Sequence, residues 1–146
     1  MSSRNYTRAL VRWIPAILWT AVILSFSNDF FSAGHSIDWL GSILSHVGHP
    51  LPPHQIDRLN HVIRKAAHLT EYFILGWLLF RALRGDDEGF RLRWAIIAIA
   101  LAACVASIDE WHQFFVPSRT SSPWDALLDS LGAAIAQIVW RYNSRS

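Results

Sequence analysis

The chain has 146 residues, of which 52% are hydrophobic, 13% aromatic and only 16% charged, and its mean hydropathy is +0.22. A typical soluble domain carries about 25% charged residues, and a disordered chain needs low hydrophobicity with high net charge, so the composition favours a single domain, residues 1–146, that lives in a bilayer. The lone Cys104 excludes a disulfide scaffold and a zinc finger, and the net charge of +2, held in short Arg clusters between apolar runs, excludes nucleic-acid binding.

A bilayer core takes about 20 largely apolar residues in helical form. The first such span covers about 9–27. Arg12 lies near its start, where a long side chain reaches the interface. A cleaved leader is the competing reading, but Phe31 stands where cleavage after Ala33 wants a small residue, so the helix is expected to stay. A long connection follows. In it Ile37, Leu40, Ile43, Leu44 and Val47 fall near one helical face, and Ser36 is placed to cap the segment. This predicts a short amphipathic helix on the membrane surface. Pro50, Pro52 and Pro53 then break the chain, and the next helix is expected to begin near Gln55, clear of the bilayer. Five of the seven His lie between His35 and His61 at irregular spacing, which reads as solvated interfacial His.

The second, third and fourth spans cover about 65–83, 94–116 and 124–142. The whole therefore reads as all-α, a membrane bundle of four transmembrane helices. Nine of the thirteen basic residues, Arg4, Arg8, Arg12, Arg81, Arg84, Arg91, Arg93, Arg141 and Arg145, fall at one set of span ends. Excess Lys and Arg mark the cytoplasmic side, so both termini are expected there, in the cell membrane of a multi-pass protein. Trp13, Trp94 and Trp140 would then mark the inner ends, and Trp111 and Trp124 the outer ends. Cys104 reads as an inert core residue.

Ionisable groups within spans are costly and default to functional candidates. In the second span Lys65, His68, Glu71 and Tyr72 share a face at i, i+3 and i+7 spacing. In the third, Asp109, His112 and Gln113 share one, bordered by Glu110. In the fourth, Asp125 and Asp129 are i and i+4, with Gly132 and Ala136 continuing the stripe as small residues suited to close helix packing. Arg119 sits on the turn before it. With the orientation above, all of these reach the outer leaflet, which predicts one outward-facing polar pocket.

KAAHLTEY (65–72), DEWHQFFVPSR (109–119), Asp125 followed by Gly132, and Ser25 with Ser27 closing the first span resemble the VanZ-like family of small bacterial membrane proteins. The departures are Asp129, where the family usually has Asn, and Ala136, where it usually has Gly. The resemblance implies an integral membrane protein of the cell envelope, usually of four helices, in a family named after a member linked to resistance to the glycopeptide teicoplanin.

Three functional readings follow. The first is a binding protein for an amphiphile, such as a lipid-linked envelope intermediate, or for a glycopeptide-type ligand. Arg119, Lys65 and His68 would hold phosphate or carboxylate, and Asp109, Glu110 and Asp125 would take ammonium groups. The second is an intramembrane hydrolase or transferase with His68 or His112 as general base, or with a divalent metal on Asp109, Glu110, His112 and Asp125. No nucleophile motif supports it, and no resident cofactor is expected. A proton-coupled transporter fits less well, because the charges sit near one face instead of at midplane. Against all three stands a purely structural charge network, with function at a partner interface. Four short helices bury little surface, so a homo-oligomer or a membrane partner is expected.

Overall fold

The computed structural model describes residues 3–26, 33–48, 51–87, 89–115 and 122–144. Among these the chain forms five helices and no strand: α1 (Ser3–Phe26), α2 (Ala33–His46), α3 (Pro53–Arg84), α4 (Leu92–Phe114) and α5 (Pro123–Asn143). The expected all-α class is therefore met. By length and apolarity, α4 alone among the described residues can cross a membrane, and the apolar stretch of α1, Leu10–Phe26, is shorter. The expectation of four crossings is met to that extent only. In α3 and α5 the reason is local: Arg64, Lys65, Glu71 and Arg81 interrupt the one, and Asp125 and Asp129 the other.

The helix boundaries follow the punctuation in the sequence. Pro52 and Pro53 open α3, two residues before the expected start. At 32 residues α3 is about 48 Å long, well beyond a bilayer core of about 30 Å. Gly85, at φ 63°, ends it. Ser122 caps α5 by accepting from the Trp124 backbone N–H at 3.3 Å, with Pro123 in the first turn and Asp125 at the positive end of the helix dipole. The surface helix expected in the first connection exists as α2, but its faces differ from the forecast. It begins at Ala33, so Ser36 lies within it and not at its start. Ile37, Leu40 and Leu44 are half-buried, and Gly41 lies against Ile56 of α3. Ile43 and Val47 are exposed, because Ile43 lies about 120° round the helix from Ile37 and Val47 follows the helix end.

α3 and α5 run parallel and form the tightest seam. A Cβ on Gly76 would sit 2.7 Å from Ala133 Cα, and one on Gly132 would sit 2.5 Å from the Leu69 carbonyl oxygen. Only glycine lets the backbones meet this closely. The small-residue stripe on α5 thus packs as expected, with Ala133 and Ala136 buried beside Gly132. Gln137 locks the seam by donating to the Gly76 carbonyl at 3.0 Å and the Ala133 carbonyl at 3.3 Å. On α4, Ala95, Ala98, Ala102 and Ala106 form a buried ladder, while Ile96, Leu101 and Ile108 face outward. Cys104 faces outward too, so it is not a core residue. α1 lies antiparallel to α3. Its Trp19 indole donates to the Glu71 carbonyl at 2.9 Å, and its Arg12 pairs with Asp86 just past the far end of α3. The buried face of α4 and α5 is small and polar while their large apolar residues face outward, and Tyr72, Leu75, Leu79 and Phe80 of α3 fill the centre.

Candidate functional site

At the end of the bundle where α3 begins, α4 ends and α5 begins, the helices open into a cavity of about 600 Å³. α3 supplies one continuous face: Asp57, Asn60, His61, Arg64, Lys65 and His68. These are spaced by three, one, three, one and three residues, which is one side of a helix. α4 supplies Glu110 and Gln113. α5 supplies Asp125, Leu128 and Asp129, with Ser122 and Trp124 at its entrance, and Ile37 of α2 lines the rim.

The parallel α3–α5 seam sets the main polar contacts. Lys65 Nζ stands 3.3 Å from Asp125 Oδ1, and both side chains are partly open to solvent. One turn deeper, His68 Nδ1 stands 3.5 Å from Asp129 Oδ2, and Asp129 is fully buried. Neither Asp129 oxygen has a hydrogen-bond donor among the described residues. A buried carboxylate in that state demands a proton or a cation. The ring of His68 is the group placed to supply one. Glu110 has a different task. Its Oε2 accepts the Ser122 backbone N–H at 2.8 Å, which ties the end of α4 to the start of α5. The cavity wall thus carries four carboxylates, Asp57, Glu110, Asp125 and Asp129, against two fixed cations, Arg64 and Lys65.

Of the residues expected to form a pocket, Lys65, His68, Glu110, Gln113, Asp125 and Asp129 line the cavity together. Tyr72 and Asp109 are buried but do not line it. The Tyr72 hydroxyl has no hydrogen-bond partner among the described residues, and Asp109 Oδ2 accepts from the Gln113 amide at 3.1 Å. Glu71 also lies outside the lining; its backbone carbonyl is the one bonded to Trp19 of α1. His112 is exposed. The buried face of α4 passes through Ala102, Ala106, Asp109 and Gln113, and His112 lies about 100° round from its centre. The metal set of Asp109, Glu110, His112 and Asp125 is therefore not assembled, and no group of three such side chains able to hold a metal ion occurs among the described residues. Arg119 lies outside the described residues.

Asp57, Asn60, His61 and Arg64 line the cavity without having been expected there. The signal was present, because they extend the Lys65–His68 face by about two turns. Starting the span at Lys65 hid it, and His61 was grouped with interfacial His. His46 and His54 are exposed, in keeping with that grouping.

No curated protein and no solved structure matches the chain. The family model described as VanZ/LLP1 matches residues 11–143, nearly the whole length, and covers every residue of the cavity wall. The chain belongs to the VanZ/LLP1 family.

Proposed function

We propose that the protein is a multi-pass protein of the cell membrane whose charged cavity binds the headgroup of an amphiphile of the cell envelope. In this reading α1, α3, α4 and α5 are the four spans, both termini are cytoplasmic, and the cavity opens outward. The inside-out distribution of residues supports it. Ile17, Leu18, Ile96, Ile108, Leu127, Leu131 and Ile138 all face away from the protein, as lipid-facing side chains do.

One observation carries the functional reading: two cations of α3 and carboxylates from three helices line one 600 Å³ cavity, and the Lys65–Asp125 and His68–Asp129 contacts leave Arg64, Asp57 and Glu110 outside any ion pair among the described residues. A charge network built only for register closes on itself. Here Arg64 has no carboxylate within salt-bridge distance among the described residues, and the buried Asp129 meets only the ring of His68, at 3.5 Å. Arg64, Lys65 and His68 suit phosphate or carboxylate groups, and Asp57, Glu110 and Asp125 suit ammonium groups. The ligand is thus a zwitterionic headgroup, as on a lipid-linked envelope intermediate or a lipopeptide. Arg119 is assigned to the same site. Binding of a glycopeptide such as teicoplanin is the special case suggested by the family's name.

Native mass spectrometry of the detergent-extracted protein tests this. Wild type should carry a defined amphiphile, and Arg64→Gln with Lys65→Gln should lose it while circular dichroism stays helical. Equal retention by a folded variant would overturn the reading. A hydrolase is the second reading, favoured by His68 with its Nδ1 toward the buried Asp129, the arrangement of an oriented general base. It requires lipid-phosphate hydrolysis that His68→Gln abolishes.

A further inference from the structure

We infer that the opposite end of the bundle, where α3 ends, α4 begins and α5 ends, holds the phosphate of an anionic phospholipid between Arg84 and Arg141. The site rests on the membrane reading above but not on the ligand assigned to the first cavity.

A second cavity, of about 420 Å³, lies at this end and is lined by Phe90, Leu92, Arg141 and Ser144. Two arginines at this end sit on aromatic faces, Arg141 in the cavity wall and Arg84 outside its lining. Arg141 Cζ is 6.0 Å from the centre of the Phe90 ring, and Arg84 Cζ is 5.2 Å from the Trp140 ring. The rings form one stack: Phe90 lies 5.4 Å from Phe80, Phe80 5.2 Å from Trp140, and Trp140 4.6 Å from Trp77. Each guanidinium is therefore held on a rigid floor, pre-ordered at little entropic cost.

Among the described residues, the charge at this end is uncompensated. Asp86 pairs with Arg12, and Asp87 pairs with Arg91 at 3.3 Å. Among the described residues, no carboxylate lies within salt-bridge distance of Arg84, Arg93 or Arg141. The hydrogen-bond balance leans the same way. Arg84 Nε, Trp94 Nε1 and Trp140 Nε1 are buried donors with no acceptor among the described residues. An end with surplus cations and surplus donors is complementary to a group that is anionic and offers only acceptors. A phosphodiester is such a group.

Acyl chains decide between a lipid and a free phosphate. Leu92 is exposed at the cavity rim, and Ile96, one turn after it on α4, and Ile138, one turn before Arg141 on α5, face outward. A phosphate seated at Arg141 would thus continue into apolar surface at bilayer depth. Basic pockets between helices at a cytoplasmic interface bind anionic headgroups in this manner.

The test uses the full chain in nanodiscs of phosphatidylcholine with a minor share of phosphatidylglycerol. Lipids retained after release are counted by native mass spectrometry. Wild type should retain phosphatidylglycerol selectively. Arg84→Gln with Arg141→Gln should lose roughly tenfold in that preference. Arg84→Lys with Arg141→Lys, which keeps the charge, should recover part of it. Equal retention by wild type and the Gln variant overturns the site. Displacement by excess inorganic phosphate would show that the chains contribute nothing, and it overturns the lipid assignment. Failure of all three proteins to enter nanodiscs would instead overturn the membrane reading, and the site with it. If the Gln variant loses its helical signal, Arg141→Gln alone decides the matter by the same count.

Discussion

The two ends of the bundle have opposite hydrogen-bond demands. Around the charged cavity the buried groups lacking a hydrogen bond among the described residues include the acceptors Asp129 Oδ1 and Oδ2 and, behind the wall, Asp109 Oδ1, beside His68 Nδ1 and the Tyr72 hydroxyl. At the other end they are the donors Arg84 Nε, Trp94 Nε1 and Trp140 Nε1. Both ends grow from the same helices, and one seam separates them. Where α3 and α5 touch backbone to backbone, at Gly76 and Gly132, the side chain at the contact is the methyl of Ala133, and the polar group nearby is Gln137, which donates across the seam. The seam fixes the angle between α3 and α5, so each end is positioned by glycines that belong to neither. Polar side chains gather where the helices diverge enough to admit ligand or water.

The sharpest way to break this comparison is to pry the seam. In Gly132→Val the new Cβ would meet the Leu69 carbonyl at 2.5 Å, and backbone cannot rotate away as a side chain can. The expected loss is about 3 kcal/mol or more, at the upper end for overpacking. Thermal unfolding in detergent reads it. Both ends should fail together, losing the ligand at the cavity and the anionic lipid opposite. Loss at one end with an intact other end would mean that the seam does not couple them.

Next in size is an asymmetry between two partners. His68→Ala leaves Asp129 buried with no cation, which costs about 3–5 kcal/mol for an isolated partner of a buried pair. Asp129→Asn removes the charge itself and keeps the shape, so its stability cost should stay below about 1 kcal/mol. Asn is also the residue suggested at that position by the wider family resemblance. The same unfolding assay compares the two. Equal costs would mean that His68 is held by something other than Asp129.

Much of the cavity could be read from helical spacing. Lys65 with His68, Glu110 with Gln113, and Asp125 with Asp129 each repeat at three or four residues, and each pair arrives on the same wall. Spacing ran out where a face had two candidate edges. His112 is i+3 from Asp109, as His68 is from Lys65, yet the alanine ladder of α4 turns the buried face toward Gln113 and leaves His112 outside. Glu71 failed for a similar reason, since its register could not show that α1 packs at that level. The N-terminal half of the α3 wall, Asp57 to Arg64, was missed because hydropathy marks where an apolar run begins and not where a helix begins. The Gly76 contact was invisible for a plainer reason: a glycine in an apolar run does not say what approaches it.

The smallest expected effect separates a site from a strut. Lys65 and Asp125 are 3.3 Å apart, with 44% and 31% of their side chains exposed. Solvent screens such a pair, so its coupling should be at most about 1 kcal/mol in a double-mutant cycle of Lys65→Gln and Asp125→Asn. A weak pair is one that a ligand can open, with phosphate taking Lys65 and ammonium taking Asp125. Lys65→Gln should therefore reduce ligand retention far more than it reduces stability. A coupling above about 2 kcal/mol, with retention unchanged, would make the pair a brace between α3 and α5, and recognition would then fall to Arg64 and to the His68–Asp129 pair beneath it.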